Sequence, residues 1–175
     1  MISNILVATD GSETAGRAVD LAAQLASGLG VPMTVGHVLQ HGARVEELGR
    51  LAETEHLVRH AGAETPPHVG EIPSDMAALF SDAISGAESK RMVAVIGDEI
   101  VARAAARARE AGAADVSTRV VDGDYDEGIL VMARDVGADT IVIGRRGLGR
   151  VQRVFEGSVS RKVARQADCT VISVP

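Results

Sequence analysis

Along this chain the apolar positions follow two periods. Short runs with little polar interruption read as buried strands: Ile5-Leu6-Val7-Ala8-Thr9, Met33 to Leu39, Asp115 to Val121, Asp139 to Ile143 and Cys169 to Val174. Between them the apolar residues move to helical spacing. Ala15, Ala18, Val19, Ala22, Leu25, Ala26 and Leu29 match the i, i+3, i+4, i+7 template over four turns. Ser12 stands where an N-cap belongs, Gly28 and Gly30 close the segment, and Pro32 cannot continue it. Residues 98–111 repeat the pattern (Ile100, Val101, Ala104, Ala105, Ala108, Ala111), ending at Gly112. A third helix carries Ile129, Met132, Ala133 and Val136 and stops at Gly137, and the last spans about 157–167 with Val159, Val163 and Ala167. Strand–helix–strand units of this length imply parallel strands with right-handed crossovers. The expectation is an α/β, doubly wound, open five-stranded parallel sheet.

The stretch between the second and third strands is longer than one crossover needs. Residues 44–61 read as a polar-faced helix, Thr65-Pro66-Pro67 breaks the chain, and Ser74 is placed to cap a short helix through Ala83. The run Met92 to Ile96 fits a strand or a buried helix by periodicity. It is assigned to helix, because Gly97 is the only breaker before the strong pattern resumes. Residues 41–88 are therefore read as a helical excursion from a single domain spanning 1–175.

Composition narrows the chemistry. Of 175 residues 46% are apolar but only 2% aromatic, so the core must come from Ala, Val, Ile and Leu, as in parallel α/β layers. So few aromatic rings argue against single-stranded nucleic-acid binding, which uses stacking platforms. The net charge is −6, yet residues 141–175 hold seven cations against Glu156 and Asp168. A basic island on an acidic protein suits a polyphosphate better than a nucleic-acid backbone. Within that island the strand Thr140 to Ile143 runs into a loop bearing Gly144, Arg145, Arg146 and Gly147, and Gly157-Ser158 opens the last helix. Glycines let main-chain N–H groups approach an oxyanion, and a helix start adds donors and a positive dipole end. Ser158 suits an N-cap or a hydroxyl donor to phosphate. The plainer alternative is a βα turn whose arginines face water; Arg145 and Arg146 fit either role.

Three motifs in order, Ile5 to Ser12, Gly144-x2-Gly147-x9-Gly157-Ser158 and Ala167 to Val174, resemble the universal stress protein family. The resemblance covers residues 1–39 and about 98–175. It implies strand order 3-2-1-4-5, an adenine nucleotide alpha hydrolase-like arrangement, with ATP (or ADP or AMP) held where the order reverses. By the same resemblance Thr9 and Asp10 approach the adenosine, and Val38 reads the adenine edge through its main chain. Ile143 and Gly144 lie beside the ribose, and Gly147, Gly157, Ser158 and Val159 wrap the phosphates. Any Mg²⁺ is expected to ride on the phosphates, helped by Asp10. The family's usual proline is Thr170 here, and the 41–88 excursion is longer than the family's usual connection.

Function is weighed among three classes. The first is an ATP-binding stress-response or regulatory protein with little or no turnover; the others are a slow ATPase and a nucleotide-free interaction module. A P-loop NTPase is excluded because no Gly-x4-Gly-Lys-Ser/Thr occurs, and a dinucleotide Rossmann domain is disfavoured because no Gly-x-Gly-x-x-Gly follows the first strand. His56 and His60 lie one helical turn apart near Glu53 and Glu55. With no third ligand evident, they read as surface residues and no metal site is assigned. His37 reads as a satisfied strand residue and Cys169 as a small buried hydrophobe. With no basic n-region or apolar h-region at the start, the expected location is cytoplasmic. The strand Thr170 to Val174, apolar and without a protective lysine, is expected to be an edge that pairs two copies into a homodimer.

Overall fold

The computed structural model describes residues 2–39, 86–145 and 158–175. The elements run β1 (Ile5–Ala8), α1 (Glu13–Leu29), β2 (Met33–Leu39), α2 (Gly86–Glu110), β3 (Val116–Asp122), α3 (Tyr125–Val136), β4 (Thr140–Gly144), α4 (Ser158–Gln166) and β5 (Thr170–Val174). The five strands form one sheet in the order β3-β2-β1-β4-β5, with every pair parallel. Sequence pattern and resemblance both anticipate this fold.

The chain divides into two compact units, Met1–His41 with Ile96–Pro175, and Gly42–Val95. The first contains the whole sheet. Of the 41–88 excursion, only the start of α2 lies within the described residues. Met92 to Ile96 is helical, as assigned, but Gly97 does not break it: α2 runs through to Glu110. A Cβ at Gly97 would stand 2.9 Å from a Leu39 methyl and 3.4 Å from the His37 ring. The glycine lets the helix approach β2.

Strand pleating divides the core in two. Ile5, Val7, Val35 and Val142 face one side, with Ala18, Val19, Ala22 and Ala26 of α1 and Val101, Ala105 and Ala108 of α2. Leu6, Ala8, Val38, Ile141 and Ile143 face the other, with Ile129, Met132 and Ala133 of α3 and Val163 of α4. β1 is buried on both faces, as expected of a central parallel strand. Each fully buried Val, Leu or Ile contributes about 1.5–3 kcal/mol relative to exposure. The alanine stripe on α1 substitutes close approach for bulk, which is how so apolar a chain manages with three aromatic residues among its 175.

Both termini of α1 match their sequence signals. Ser12 is extended and its hydroxyl accepts from Ala15 N–H, while Gly30 is left-handed at φ 67°; only glycine takes that angle without strain. Gly137 closes α3 in the same way.

Candidate functional site

In an open parallel sheet a ligand crevice forms outside the carboxyl ends of the strands, where the order reverses. Here β1 lies between β2 and β4, so that place is bounded by Thr9 and Asp10, by Val38 and by Ile143 to Arg145. The fold thus gathers the residues expected of the first, second and fourth strands. Arg146, Gly147, Gly157 and the side chain of Ser158 lie outside the described residues. The start of α4 at Ser158 is described, and Val159 is half-buried against the cluster on the α3 side.

The register makes the β2 end distinctive. β1 pairs with β2 only as far as Ala8↔Gly36, whereas β3 pairs with β2 as far as Leu39↔Asp122. β2 therefore overhangs β1 by His37, Val38 and Leu39. In a parallel ladder, alternate residues direct both main-chain groups to alternate neighbours. Ile5 N–H donates to Pro32 C=O and Thr9 N–H to Gly36 C=O, so the even positions of β2 face β1. Met33 N–H donates to Asp115 C=O and Gly123 N–H to Leu39 C=O, so the odd positions face β3. Val38 is even, and the alternation directs its N–H and C=O together towards the crevice side, past the last β1 pair. The residue as a whole is 4% exposed, and its side chain packs in the α3-side core.

The β1–α1 turn is held by its own side chains. Thr9 Oγ1 accepts from Gly11 N–H at 3.2 Å, Asp10 Oδ1 from Ser12 N–H at 3.0 Å, and Ser12 Oγ from Ala15 N–H at 3.2 Å. Gly11 has φ +80°, a left-handed turn that favours glycine. These bonds fix the orientation of the Asp10 carboxylate. His37 braces the turn from β2: its Nδ1 lies 2.8 Å from the Thr9 carbonyl oxygen. A carbonyl only accepts, so Nδ1 carries the proton. Burial lowers the pKa of this imidazole, opposed by the Thr9 hydrogen bond and the nearby Asp10 charge. The strand-residue reading of His37 is thus correct; its grip on Thr9 has no signature in the sequence.

Gly144 has a packing role besides any ligand role. A Cβ there would stand 3.2 Å from Thr14 Cγ2 and 3.3 Å from Ala15 N and Thr14 C. The end of β4 lies flush against the first turn of α1, and backbone cannot be displaced as a flexible side chain can. Arg145 donates its N–H to Val174 C=O at 2.6 Å, so that amide serves the β4–β5 ladder. Its side chain is exposed. Cys169, expected to be buried, is half-buried at the opposite edge of the sheet. Burial, then the charges of Asp139 and Asp168, raise its thiol pKa, which disfavours the reactive thiolate. Among the described residues no group of three or more His, Cys, Asp or Glu could hold a metal ion. His56 and His60 lie outside them.

Comparison with known proteins agrees with this architecture. The model of the universal stress protein family matches residues 1–175. The chain belongs to the universal stress protein family. This member is 32% identical to a universal stress protein of Thermus aquaticus over 99% of each chain. It is similar to a crystal structure of a universal stress protein in complex with cAMP, at TM-score 0.59 and 24% identity, covering 99% of this chain and 97% of that one. It is also similar to the universal stress protein of Archaeoglobus fulgidus in complex with dAMP, at TM-score 0.60 and 23% identity over the whole of both chains. At those identities the two structures establish the shared fold. No described helix is long and apolar enough to cross a membrane.

Proposed function

We propose that this family member binds an adenine nucleotide, ATP in the first instance, at the carboxyl edge between β1, β2 and β4, and acts in stress response or regulation with little or no turnover. The observation that carries the reading is the three-residue overhang of β2. It directs one donor and one acceptor of Val38 to the crevice, the pair needed to meet the Watson–Crick edge of adenine. Asp10, oriented by Ser12 N–H, supplies an acceptor for ribose hydroxyls. Ile143 and Gly144 flank the sugar, and the start of α4 with Gly147, Gly157, Ser158 and Val159 receives the phosphates. Arg145 and Arg146 add charge. The cAMP and dAMP complexes of similar proteins support an adenine ligand.

Hydrolysis needs an in-line nucleophile as well as charge neutralisation, and the described residues offer no assigned base. Mg²⁺, where present, is taken to be carried by the phosphates. We treat the chain as one cytoplasmic domain with the 41–88 segment inserted between β2 and β3. It forms a homodimer through β5, whose residues are half-buried or exposed along their length and whose outer edge is unpaired within the sheet.

Calorimetric titration tests the reading. ATP should bind with one site per chain, and Asp10→Ala should weaken it about tenfold, the effect of losing a charge-assisted hydrogen bond. Failure of ATP, ADP and AMP alike to bind or to raise the melting temperature at millimolar concentration would favour the interaction module. A saturable turnover lost in Asp10→Ala would favour the slow ATPase. Light scattering at micromolar concentration should give a dimer mass.

A further inference from the structure

The carboxyl edge of the sheet carries an aromatic ring that neither the sequence motifs nor the nucleotide reading above uses. Gly128 of α3 lies directly over Val38: a Cβ built there would stand 2.9 Å from both Val38 methyls. One turn further along, the Met132 side chain lies over Gly36, its Cε and Sδ 2.9 Å from where that glycine's Cβ would be. The helix therefore tracks β2 in reverse, residue 132 over 36 and 128 over 38. Tyr125 is three residues before Gly128, on the same helix face. Continued by three residues, the same progression carries Tyr125, the first residue of α3, past Val38 towards the end of β2, on the side of the sheet that α4 shares. The first turn of α3 is tied to the middle of α4, where Lys162 Nζ donates to Asp126 Oδ1 at 3.3 Å. Tyr125 is 38% exposed, one of four large apolar side chains so exposed among the described residues. The others are Leu29, the last residue of α1, Val95 of α2 and Val131 of α3.

Resting on the nucleotide reading, we propose that Tyr125 is a wall of the base subsite, a specificity-determining residue whose ring packs against the face of the adenine that Val38 grips by its edge. Val38 alone recognises a donor–acceptor pattern; a ring on the α3 side adds area and favours a purine over a smaller base. Stacking is tolerant of which purine is present but not of its absence. Removing the ring should therefore weaken nucleosides and nucleotides together and leave the phosphate end untouched.

The composition supplies a clean probe, since Tyr125 is the only tyrosine in the chain. Selective ¹³C labelling of tyrosine yields ring signals from this residue alone. Adenosine and ATP should shift those signals along saturable curves, and inorganic tripolyphosphate should not. By calorimetry Tyr125→Leu should lose about tenfold in ATP affinity, Tyr125→Phe should retain it, and both should bind tripolyphosphate like the unsubstituted protein. ATP binding with unmoved ring signals, or with Tyr125→Leu at full affinity, overturns this proposal and leaves the nucleotide reading standing. Absence of ATP binding to the unsubstituted protein overturns both. Loss of tripolyphosphate binding in Tyr125→Leu would assign the ring a merely structural part and also overturn the proposal.

Discussion

Two strand-to-helix turns leave the same edge of the sheet and are built on opposite plans. Between β1 and α1 the polar side chains close on the backbone: Thr9, Asp10 and Ser12 each accept an N–H from a residue two or three further on. Between β3 and α3, Asp124 has the extended angles of an N-cap yet makes no capping hydrogen bond. Main-chain bonds cross that turn, with Gly123 N–H on Leu39 C=O and Gly128 N–H on Asp124 C=O. The closed turn spends its amides internally and has one oriented carboxylate to offer a ligand. The open turn offers a helix face, with Gly128 against β2 and Tyr125 at the rim. On the proposed reading, the sugar faces the turn closed by side-chain hydrogen bonds and the base faces the turn shaped by packing.

The largest effect should come from the packed contact of the open turn. Gly128→Ala gains helix propensity, but its methyl would lie 2.9 Å from two Val38 methyls on a stiff, β-branched side chain. A net loss of roughly 2 kcal/mol is expected from overpacking, read as a lower urea midpoint with unchanged slope. Stability at or above that of the unsubstituted protein would show that the helix moves aside freely. The two caps should then differ. Ser12→Ala should cost about 1 kcal/mol, whereas Asp124→Ala should cost no more than about 0.5 kcal/mol, the loss of a surface charge near a helix start. Equal costs would erase the contrast between the turns.

A graded effect of pH should follow from His37. Its pKa is lowered by burial, so the unfolded chain takes up the proton first. The contribution is complete above the unfolded value of about 6.5 and declines as the pH falls through it towards the folded value. His37→Asn, which keeps a donor at the Nδ1 position, should flatten that part of the stability–pH profile; an unchanged profile would assign the acid loss elsewhere. A salt-sensitive effect should come from the surface clamp between α1 and α2, where Arg107 Nε and Nη2 donate to the Asp20 carboxylate at 2.6 and 2.7 Å. The pair is largely exposed, so Asp20→Asn should cost no more than about 1 kcal/mol, with the difference fading in high salt.

The elements that carry periodic patterns were legible in the residues alone. β1, α1, β2, α3, β4 and β5 follow from runs and i, i+3, i+4 spacing, and the Ser12 and Gly137 caps from residue type. The strand order needed the family resemblance, because periodicity states that strands exist but not which ones pair. What stayed hidden depends on two segments meeting in space. Gly97 reads as a breaker in sequence, yet it is a contact point for Leu39 and His37. Gly144 reads as a glycine of the ligand loop, beside the ribose, yet it also seats β4 against Thr14 and Ala15. At the site, Asp10 and the glycine spacing were visible, whereas the hydrogen bond from His37 to Thr9 and the position of Tyr125 beyond Val38 were not. Neither has a local signature, since each joins residues from different elements.

The claim at the centre is that the overhanging end of β2 reads a purine. Amide spectra of ¹⁵N-labelled protein titrated with ATP test it most directly. The Val38 amide should shift strongly and saturably, with Asp10 and Val159, while Asp139 and Cys169 at the opposite edge of the sheet stay fixed. A saturable ATP response that leaves Val38 unmoved, or that centres on Asp139 and Cys169, would contradict it.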